Sequence, residues 1–163
     1  MILDIKTYPD KILSQKAKKV GEVNAEIKKL IDDMVETLYA KQGAGLAANQ
    51  VGVAKQIIVA DDTRNGGNTK ILINPKILSK KGSASLREGC LSLPGLDIEV
   101  KRPVKIEVEY MDARGQLRKM KADDLLARII CHETDHLRGK TLLDKLPLIQ
   151  RLKTKRQFKK IKK

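Results

Sequence analysis

The sequence predicts an α+β fold, in which short antiparallel strands pack around a central helix, with one long helix before them and another at the C-terminus. Three observations lead to this fold class. Apolar residues recur at helical spacing in segment 24–41, short alternating or apolar segments follow between 56 and 122, and helical spacing returns at 123–138. A chain of 163 residues with this order of elements, and with no repeat or linker, is expected to form one domain.

The first long helix is predicted over 24–41. Asn24 is its expected N-cap and Gly43 its expected C-cap. One face of this helix is apolar: Ile27, Leu30, Ile31, Met34, Val35 and Leu38. Strands are predicted at 56–61, 70–78, 82–86, 104–111 and 116–122, with turns at 64–69 and 112–115. No strand is predicted for the small residues of 43–50, which have no period.

The second long helix is the central one, and it contains an HExxH pattern formed by His132, Glu133 and His136. Histidines four residues apart lie about 40° apart around a helix, so both can reach one metal ion and Glu133 can reach a metal-bound water. Leu125 and Ile129 share the histidine stripe, which is therefore apolar and expected to be buried. The opposite arc is polar: Asp123, Asp124, Arg128, Asp135 and Arg138. The alternative is two ordinary histidines, or a pair on the surface of the helix.

A catalytic zinc-like site usually has three protein ligands, so a third is needed. The candidates are two cysteines and two acids: Cys90, Cys131, Glu88 and Asp135. Cys131 points away from the histidine stripe of its own helix, and we expect it to be a small buried side chain. Cys90 can come from a different element, but the spacing alone leaves open whether it is a ligand or a lone buried cysteine.

The net charge of +14, from 34 basic and 20 acidic residues, is concentrated at the C-terminus. Segment 150–163 has eight basic residues and no acidic residue, so it supplies +8 of the excess. We therefore expect a domain over 1–146 and a basic helix over 147–163 that belongs to it. The first turns of this helix should dock through Leu148, Ile149 and Leu152. Phe158 and Ile161 lie off that face, so the distal part should project, either for solubility or as an anchor to a polyanion.

Composition excludes several classes of protein. Three tyrosines and one phenylalanine, scattered along the chain, provide no set of platforms for stacking single-stranded nucleic acid. The longest uncharged segment, 42–54, has 13 residues and is too short for a membrane span. Charges at Asp4 and Lys6 argue against a secretory signal. Two cysteines do not make a disulfide framework, so a reducing cytoplasm is expected.

Three separated motifs resemble those of the peptide deformylase family. They are GAGLAANQ at 43–50, EGCLSLP at 88–94 and HETDH at 132–136. Together, in this order and at this chain length, they are highly specific, and the resemblance extends over nearly the whole chain. It implies a metal-dependent hydrolase that removes the N-formyl group from formyl-methionine at the start of newly made polypeptides and releases formate.

The resemblance assigns roles to individual residues. Cys90, His132 and His136 would be the metal ligands, and Glu133 would be the general base and acid. The metal would be Fe²⁺ physiologically, with Zn²⁺, Ni²⁺ or Co²⁺ able to take its place. The developing oxyanion would be held by the Gln50 side chain and the backbone N–H of Leu91. The extended peptide would lie along backbone that includes Ala44, Gly45 and Gly89.

Further residues are expected beside these groups. Leu125 and Ile129 are predicted to help form an apolar pocket for the methionine side chain, with general core packing as the alternative. Arg102 matches a family arginine and is expected to pair with Asp135, unless it is a solvated cation at the end of a strand. Three positions depart from the family pattern, namely Asn49, Cys131 and Arg87, and Arg87 makes substrate preference less certain than the chemistry.

The resemblance also implies partners and a location. The substrate is a formyl-methionyl nascent peptide, so the basic C-terminal helix is expected to anchor the chain to ribosomal RNA near the exit tunnel. A monomer in the bacterial cytoplasm is expected, or in an organelle matrix for a mature processed form, with no membrane association. Two other functions compete with this one: a zinc endopeptidase, and a basic nucleic-acid-binding module with a structural zinc.

Overall fold

The protein is described by a computed structural model that covers residues 1–63 and 66–161. In this part of the chain seven strands form two antiparallel sheets, which together with the helices confirms the predicted α+β class and its antiparallel strands. The strands are β1 (Gly45–Ala47), β2 (Ile57–Ala60), β3 (Lys70–Lys81), β4 (Ala84–Gly89), β5 (Asp97–Arg102), β6 (Lys105–Met111) and β7 (Leu117–Asp123). The larger sheet has the order β1-β2-β3-β6-β7, and β4 and β5 form the smaller sheet. Two residues of the turn predicted at 64–69 lie outside the described residues.

Two long helices, α1 (Ala25–Ala40) and α2 (Asp124–Leu137), cover opposite faces of the larger sheet. Successive side chains of a strand point to opposite faces. In β2, Ile57 and Val59 pack in the same cluster as α1, and Ile58 and Ala60 pack in the same cluster as α2. All four residues of β2 are therefore fully buried. The apolar spacing predicted both helices.

Caps and short 3₁₀ helices fix the connections. The side chain of Asn24 accepts a hydrogen bond from the Ile27 backbone N–H at 3.0 Å, as expected of an N-cap. The described residues also form 3₁₀ helices at Lys11–Ser14, Ala48–Val51 and Leu142–Lys145. Among these residues, the structure has no helix that is both apolar and long enough to span a bilayer.

Two strands were not predicted, for different reasons. β1 has only three residues. It is a strand because it pairs with β2, which places Gly45 opposite Ala60. β5 pairs with β4 so that Glu88 lies opposite Ile98. The sequence contains a strand signal, because Ile98 and Val100 alternate with the charged residues Asp97, Glu99 and Lys101. A period of two was therefore present in 97–102 and was overlooked.

The C-terminal helix α3 (Leu148–Ile161) docks through a different face from the one predicted. The three residues expected to dock, Leu148, Ile149 and Leu152, are 67%, 70% and 49% exposed. Phe158, which we expected to project, is only 8% exposed and meets the Tyr8 ring edge-on at a centroid distance of 6.2 Å. Phe158 packs in a cluster of buried apolar residues that we call the C-terminal cluster: Leu93, Ile98, Val100, Leu142, Leu143 and Phe158.

The first turn of α3 is held by a polar side chain. Arg151 donates hydrogen bonds to the backbone carbonyls of Leu143, Asp144 and Leu146 at 3.0, 3.0 and 3.2 Å. A helical wheel compares positions on one helix only, so it could not show that carbonyls of the preceding segment would provide this attachment. The side chain of Ile161 and the last two lysines lie outside the described residues.

Candidate metal centre

Three segments that are distant in the sequence meet at one site. The 3₁₀ helix Ala48–Val51 contributes Gln50, and Cys90 directly follows β4. Helix α2 contributes His132, Glu133 and His136, all of them buried. The two histidines lie one turn apart on the same face, as their spacing predicts.

The ligand atoms of Cys90, His132 and His136 all lie within 4.8 Å of one another. The Cys90 Sγ is 3.3 Å from His136 Nε2, and the two imidazole centroids are 5.1 Å apart. Thiolate and imidazole nitrogen are ligands that suit Zn²⁺ and Fe²⁺. The group therefore fits a divalent metal ion, whereas Cys131 and Asp135, which the sequence left open, are not part of it.

The two histidines have opposite pKa shifts. Burial holds the pKa of His136 well below its usual value, so this imidazole is neutral and ready to bind a metal. Burial also disfavours the charged form of His132, but the Cys90 sulfur and the Glu88 carboxylate outweigh it and raise the pKa of His132 to about 10. A metal must therefore displace a proton from His132, so binding releases a proton.

Glu88 contacts a ring nitrogen of His132 and is not part of the group formed by Cys90, His132 and His136. Its Oε2 lies 2.9 Å from His132 Nδ1, and Arg102 donates to both of its oxygens at 2.6 and 3.0 Å. Arg102 also donates to Asp135 at 2.9 Å, the partner expected from the sequence. Burial alone would raise the pKa of Glu88, but the hydrogen bonds from His132 and Arg102 lower it to about 2. A carboxylate on the second ring nitrogen fixes the orientation of a metal-ligating histidine.

Glu133 is the buried carboxylate that has no partner on one oxygen. The residue is 4% exposed, and its Oε2 has no hydrogen-bond partner among the described residues. Burial raises the pKa of Glu133 to about 7, although the positive charges of His132 and Arg102 act to lower it. A Cβ at Gly45 would lie 2.5 Å from Glu133 Oε1 and 2.6 Å from Ile129, so only glycine fits there. This placement suits a base that meets a metal-bound water.

The Gln50 amide is held in one orientation. Its Oε1 accepts a hydrogen bond from the Ala47 backbone N–H at 2.9 Å. Its Nε2 is therefore turned toward the metal centre, 3.6 Å from Cys90 Sγ and 3.2 Å from Ser92 Oγ. The role of Ser92 was not predicted, although it lies in the same motif as Cys90. The amide is thus a fixed donor aimed at the site.

A cavity of about 370 Å³ opens beside these groups. Its walls include Leu91 and the three residues that the resemblance assigns to peptide binding, namely Ala44, Gly45 and Gly89. Leu125 and Ile129 line it as well, and Leu125 is 42% exposed. Our expectation that the whole histidine stripe is buried is wrong at Leu125, because this residue faces open space in the cavity.

Arg128 is buried, although its position on the helix predicts an exposed side chain. We assigned it to the polar outer arc, yet it is 7% exposed and lines the cavity. Its guanidinium donates to Glu88 Oε1 at 2.7 Å and to two backbone carbonyls of the smaller sheet. A helical wheel of α2 could not predict this burial, because β4 and β5 cover this side of the helix and provide acceptors for the guanidinium.

Comparison with known proteins decides the family. A sequence model described as polypeptide deformylase matches residues 2–152. The chain belongs to the polypeptide deformylase family. A peptide deformylase of Thermodesulfovibrio yellowstonii is 44% identical over 160 residues, covering 97% of each chain. One of Nitrosococcus oceani is 43% identical over 159 residues, covering 98% of this chain and 95% of the relative.

Solved structures of deformylases have the same fold. The crystal structure of a peptide deformylase from Legionella pneumophila has a TM-score of 0.93 and 35% identity, and covers 99% of this chain and 96% of the other. That of the Ehrlichia chaffeensis enzyme in complex with actinonin has a TM-score of 0.91 and 42% identity, and covers 98% and 96%. The family fold therefore extends over the whole described chain.

The three departures from the deformylase pattern lie in different surroundings. Asn49 is fully buried and donates to the Gln15 carbonyl at 2.8 Å. Cys131 is buried in the core, and burial raises the pKa of its thiol. Arg87 lines the cavity and pairs with Asp97 at 3.1 Å. Of the three, Arg87 alone lines the cavity.

Proposed function

We propose that this chain removes the N-formyl group from formyl-methionine at the N-terminus of newly made polypeptides and releases formate. The observation that carries the proposal is the buried carboxylate of Glu133 beside Cys90, His132 and His136, whose Oε2 has no hydrogen-bond partner among the described residues. A structural metal site has no use for such a group, because burying an unpaired carboxylate is costly. A hydrolytic site needs it to accept the proton of an attacking water.

The residues divide the reaction between them. Cys90, His132 and His136 would hold a divalent metal ion, which would supply Lewis-acid polarisation of the formyl group and a bound water of lowered pKa. Glu133 accepts the proton of the attacking water and returns it to the departing methionine nitrogen. Gln50 Nε2 donates to the oxyanion that develops on the formyl oxygen, together with the backbone N–H of Leu91, and one such donor contributes roughly 3–4 kcal/mol.

The substrate binds as an additional strand. β1 is at an edge of the larger sheet, so its free side can pair with an extended peptide. Gly45 on β1 and Gly89 at the end of β4 then face the peptide from its two sides, with Ala44 alongside. The methionine side chain enters between Leu125 and Ile129. The soft thiolate of Cys90 suits Fe²⁺ or Zn²⁺, and we propose Fe²⁺ as the physiological metal because the family resemblance favours it, with Zn²⁺, Ni²⁺ or Co²⁺ as substitutes.

Anaerobic purification followed by metal analysis and a formate assay on the same sample tests this function. We expect about one divalent ion per chain, with iron predominating, and release of formate from formyl-Met-Ala-Ser. Cleavage of casein without formate release would overturn the proposal in favour of an endopeptidase. Salt-sensitive RNA binding without hydrolysis, with unfolding on metal removal, would favour a structural zinc module.

We further propose that α3 attaches the monomeric enzyme to the ribosome near the exit tunnel, in the bacterial cytoplasm or, for a processed form, in an organelle matrix. Segment 150–163 has eight basic residues and no acidic residue, which suits ribosomal RNA. The exposed face formed by Leu148, Ile149 and Leu152 adds an apolar surface of the kind that marks a contact site.

Charge reversal tests this attachment better than truncation, because removing α3 would also remove Phe158 from the C-terminal cluster. The exposed cations Lys153, Arg156 and Lys159 are replaced together by Glu. We expect binding to ribosomes in sedimentation to fall by about 10-fold or more at low salt, since each phosphate contact adds to the affinity. Turnover of a formyl tripeptide should be unchanged.

A matched triple variant provides the control. Lys28, Lys76 and Lys121 are exposed, lie outside α3, and change to Glu with an identical effect on net charge. This variant should bind ribosomes like the parent. An equal loss in both triple variants, or no loss in either, would show that α3 has no specific role in attachment.

A further inference from the structure

The smaller sheet and α2 must be held in one relative position for the metal ligands to meet. Cys90 follows β4 directly, whereas both histidines lie on α2. Within residues 1–63 and 66–161, no strand of the smaller sheet pairs with the larger sheet on which α2 lies. The sheet ladder therefore does not fix the position of the smaller sheet relative to the histidines, and side-chain contacts contribute to it.

The buried apolar residues of the smaller sheet and those of α2 belong to different clusters. Ile98 and Val100 of β5 belong to the C-terminal cluster, with Leu142, Leu143 and Phe158. The buried apolar residues of α2, such as Ile130, belong to the cluster that packs on the larger sheet. The interface between α2 and the smaller sheet is thus polar where it approaches the metal ligands.

Arg128 spans that interface and contacts both strands. Its Nη2 donates to the Ala84 carbonyl of β4 at 2.7 Å, and its Nη1 donates to the Val100 carbonyl of β5 at 2.9 Å. Its Nη1 also donates to Glu88 Oε1 at 2.7 Å. A planar guanidinium with several fixed donors suits such simultaneous contacts, which one ammonium cannot reproduce in the same geometry.

Glu88 connects this arginine to the metal site. One of its oxygens accepts from Arg128 and Arg102, and the other lies against His132 Nδ1. Arg102 belongs to β5, so its contact with Glu88 is within the smaller sheet, and it reaches α2 through Asp135. Two buried guanidiniums are thus balanced by two carboxylates, which makes their burial tolerable.

We propose that Arg128 is a positioning residue that aligns the smaller sheet with α2, so that Cys90 and His132 face each other at metal-binding distance. It acts through Glu88 and through the backbone of β4 and β5, and it contacts no ligand atom of the metal. The inference rests on the proposed function. The other role open to a buried arginine here is simply to form part of the cavity wall.

The test uses R128M, which replaces the guanidinium but keeps an unbranched aliphatic side chain, and R128K, which keeps the positive charge. The exposed Arg118 on β7 provides the control R118M. Each full-length protein is loaded with Co²⁺, and two quantities are measured: the thiolate-to-cobalt charge-transfer absorption and the rate at which a chelator removes the metal. Thermal unfolding shows which variants fold.

We expect R128M to lose metal about 10-fold faster than the parent and to have a weakened thiolate-to-cobalt band. A loss of this size is typical when a residue that supports a metal ligand by hydrogen bonding is removed. R128K should be intermediate, and R118M should match the parent. With formyl-Met-Ala-Ser, kcat of R128K should fall while KM changes little.

A folded R128M whose metal-loss rate and cobalt band stay within two-fold of the parent would overturn the proposal. If R128M does not fold, R128K decides: a raised KM with unchanged kcat and metal retention would assign Arg128 to the cavity wall alone. Both metal measurements are independent of turnover, so an absence of formate release by the parent would refute the proposed function without deciding the role of Arg128.

Discussion

The variant Glu133→Gln is expected to keep its metal and to lose turnover by a factor of about 10²–10⁴. Glutamine has nearly the same shape, so the metal ligands on the same helix should stay in place. It cannot accept the proton of the attacking water, and it has none to return to the departing amine. Formate release and metal content, measured on the same sample, check this result.

The same variant should stabilise the metal-free protein at alkaline pH. Burial raises the pKa of Glu133 from 4.5 to about 7, so its ionised form is disfavoured in the folded state. The penalty is absent below pH 4.5, where the carboxyl is neutral in both folded and unfolded chains, and it is complete above pH 7. At about 1.4 kcal/mol per pKa unit, Glu133→Gln should gain about 3 kcal/mol at pH 8 and little at pH 4.

Thermal or denaturant unfolding after chelation checks the second result. Two outcomes would contradict the role of Glu133. One is formate release above a tenth of the parent rate, which would show that another group moves the proton. The other is equal stability of the two metal-free proteins at pH 8, which would show that the carboxylate is not held at a cost in the folded state.

The variant Cys90→Ser is expected to lose the metal and, with it, all measurable turnover. A hydroxyl is a hard, protonated and weaker ligand than the thiolate, so two histidines alone would have to retain the ion. The loss of affinity should exceed the roughly 10–100-fold that removal of an outer partner costs. Metal content after dialysis measures it directly.

Cys131→Ser is the matched control, because it makes the same chemical change at the other cysteine. Cys131 is buried in the core packed on the larger sheet and does not line the cavity. This variant should keep its metal and its turnover, with at most a small loss of stability. Equal metal retention in both serine variants would remove Cys90 from the ligand set.

Local patterns were sufficient to predict the helices and most strands. The apolar spacing of 24–41 and the N-cap at Asn24 are properties of neighbouring residues, and α1 forms where they predict it. The same holds for the HExxH segment, because residues four apart share a helical face whatever surrounds the helix. These features need no knowledge of distant contacts.

The errors occur where the environment of a helix decides the exposure of a side chain. Arg128 was expected in solvent, yet carbonyls of β4 and β5 cover it. Leu125 was expected to be buried with the histidine stripe, yet it is 42% exposed where it lines the cavity. In α3 the apolar residues Leu148 and Ile149 are exposed while Phe158 is buried, because the C-terminal cluster lies beside the distal end of the helix.

Local sequence patterns were enough to name the candidate side chains of the site and to arrange those that share one helix. They could not choose among two cysteines and two acids for the third member of the metal site. The tertiary structure brings Cys90 to 3.3 Å from His136 across 46 positions of sequence and turns Glu88 into the partner of His132. That choice depends on how a separate two-stranded sheet packs against α2, and such long-range contacts have no local pattern.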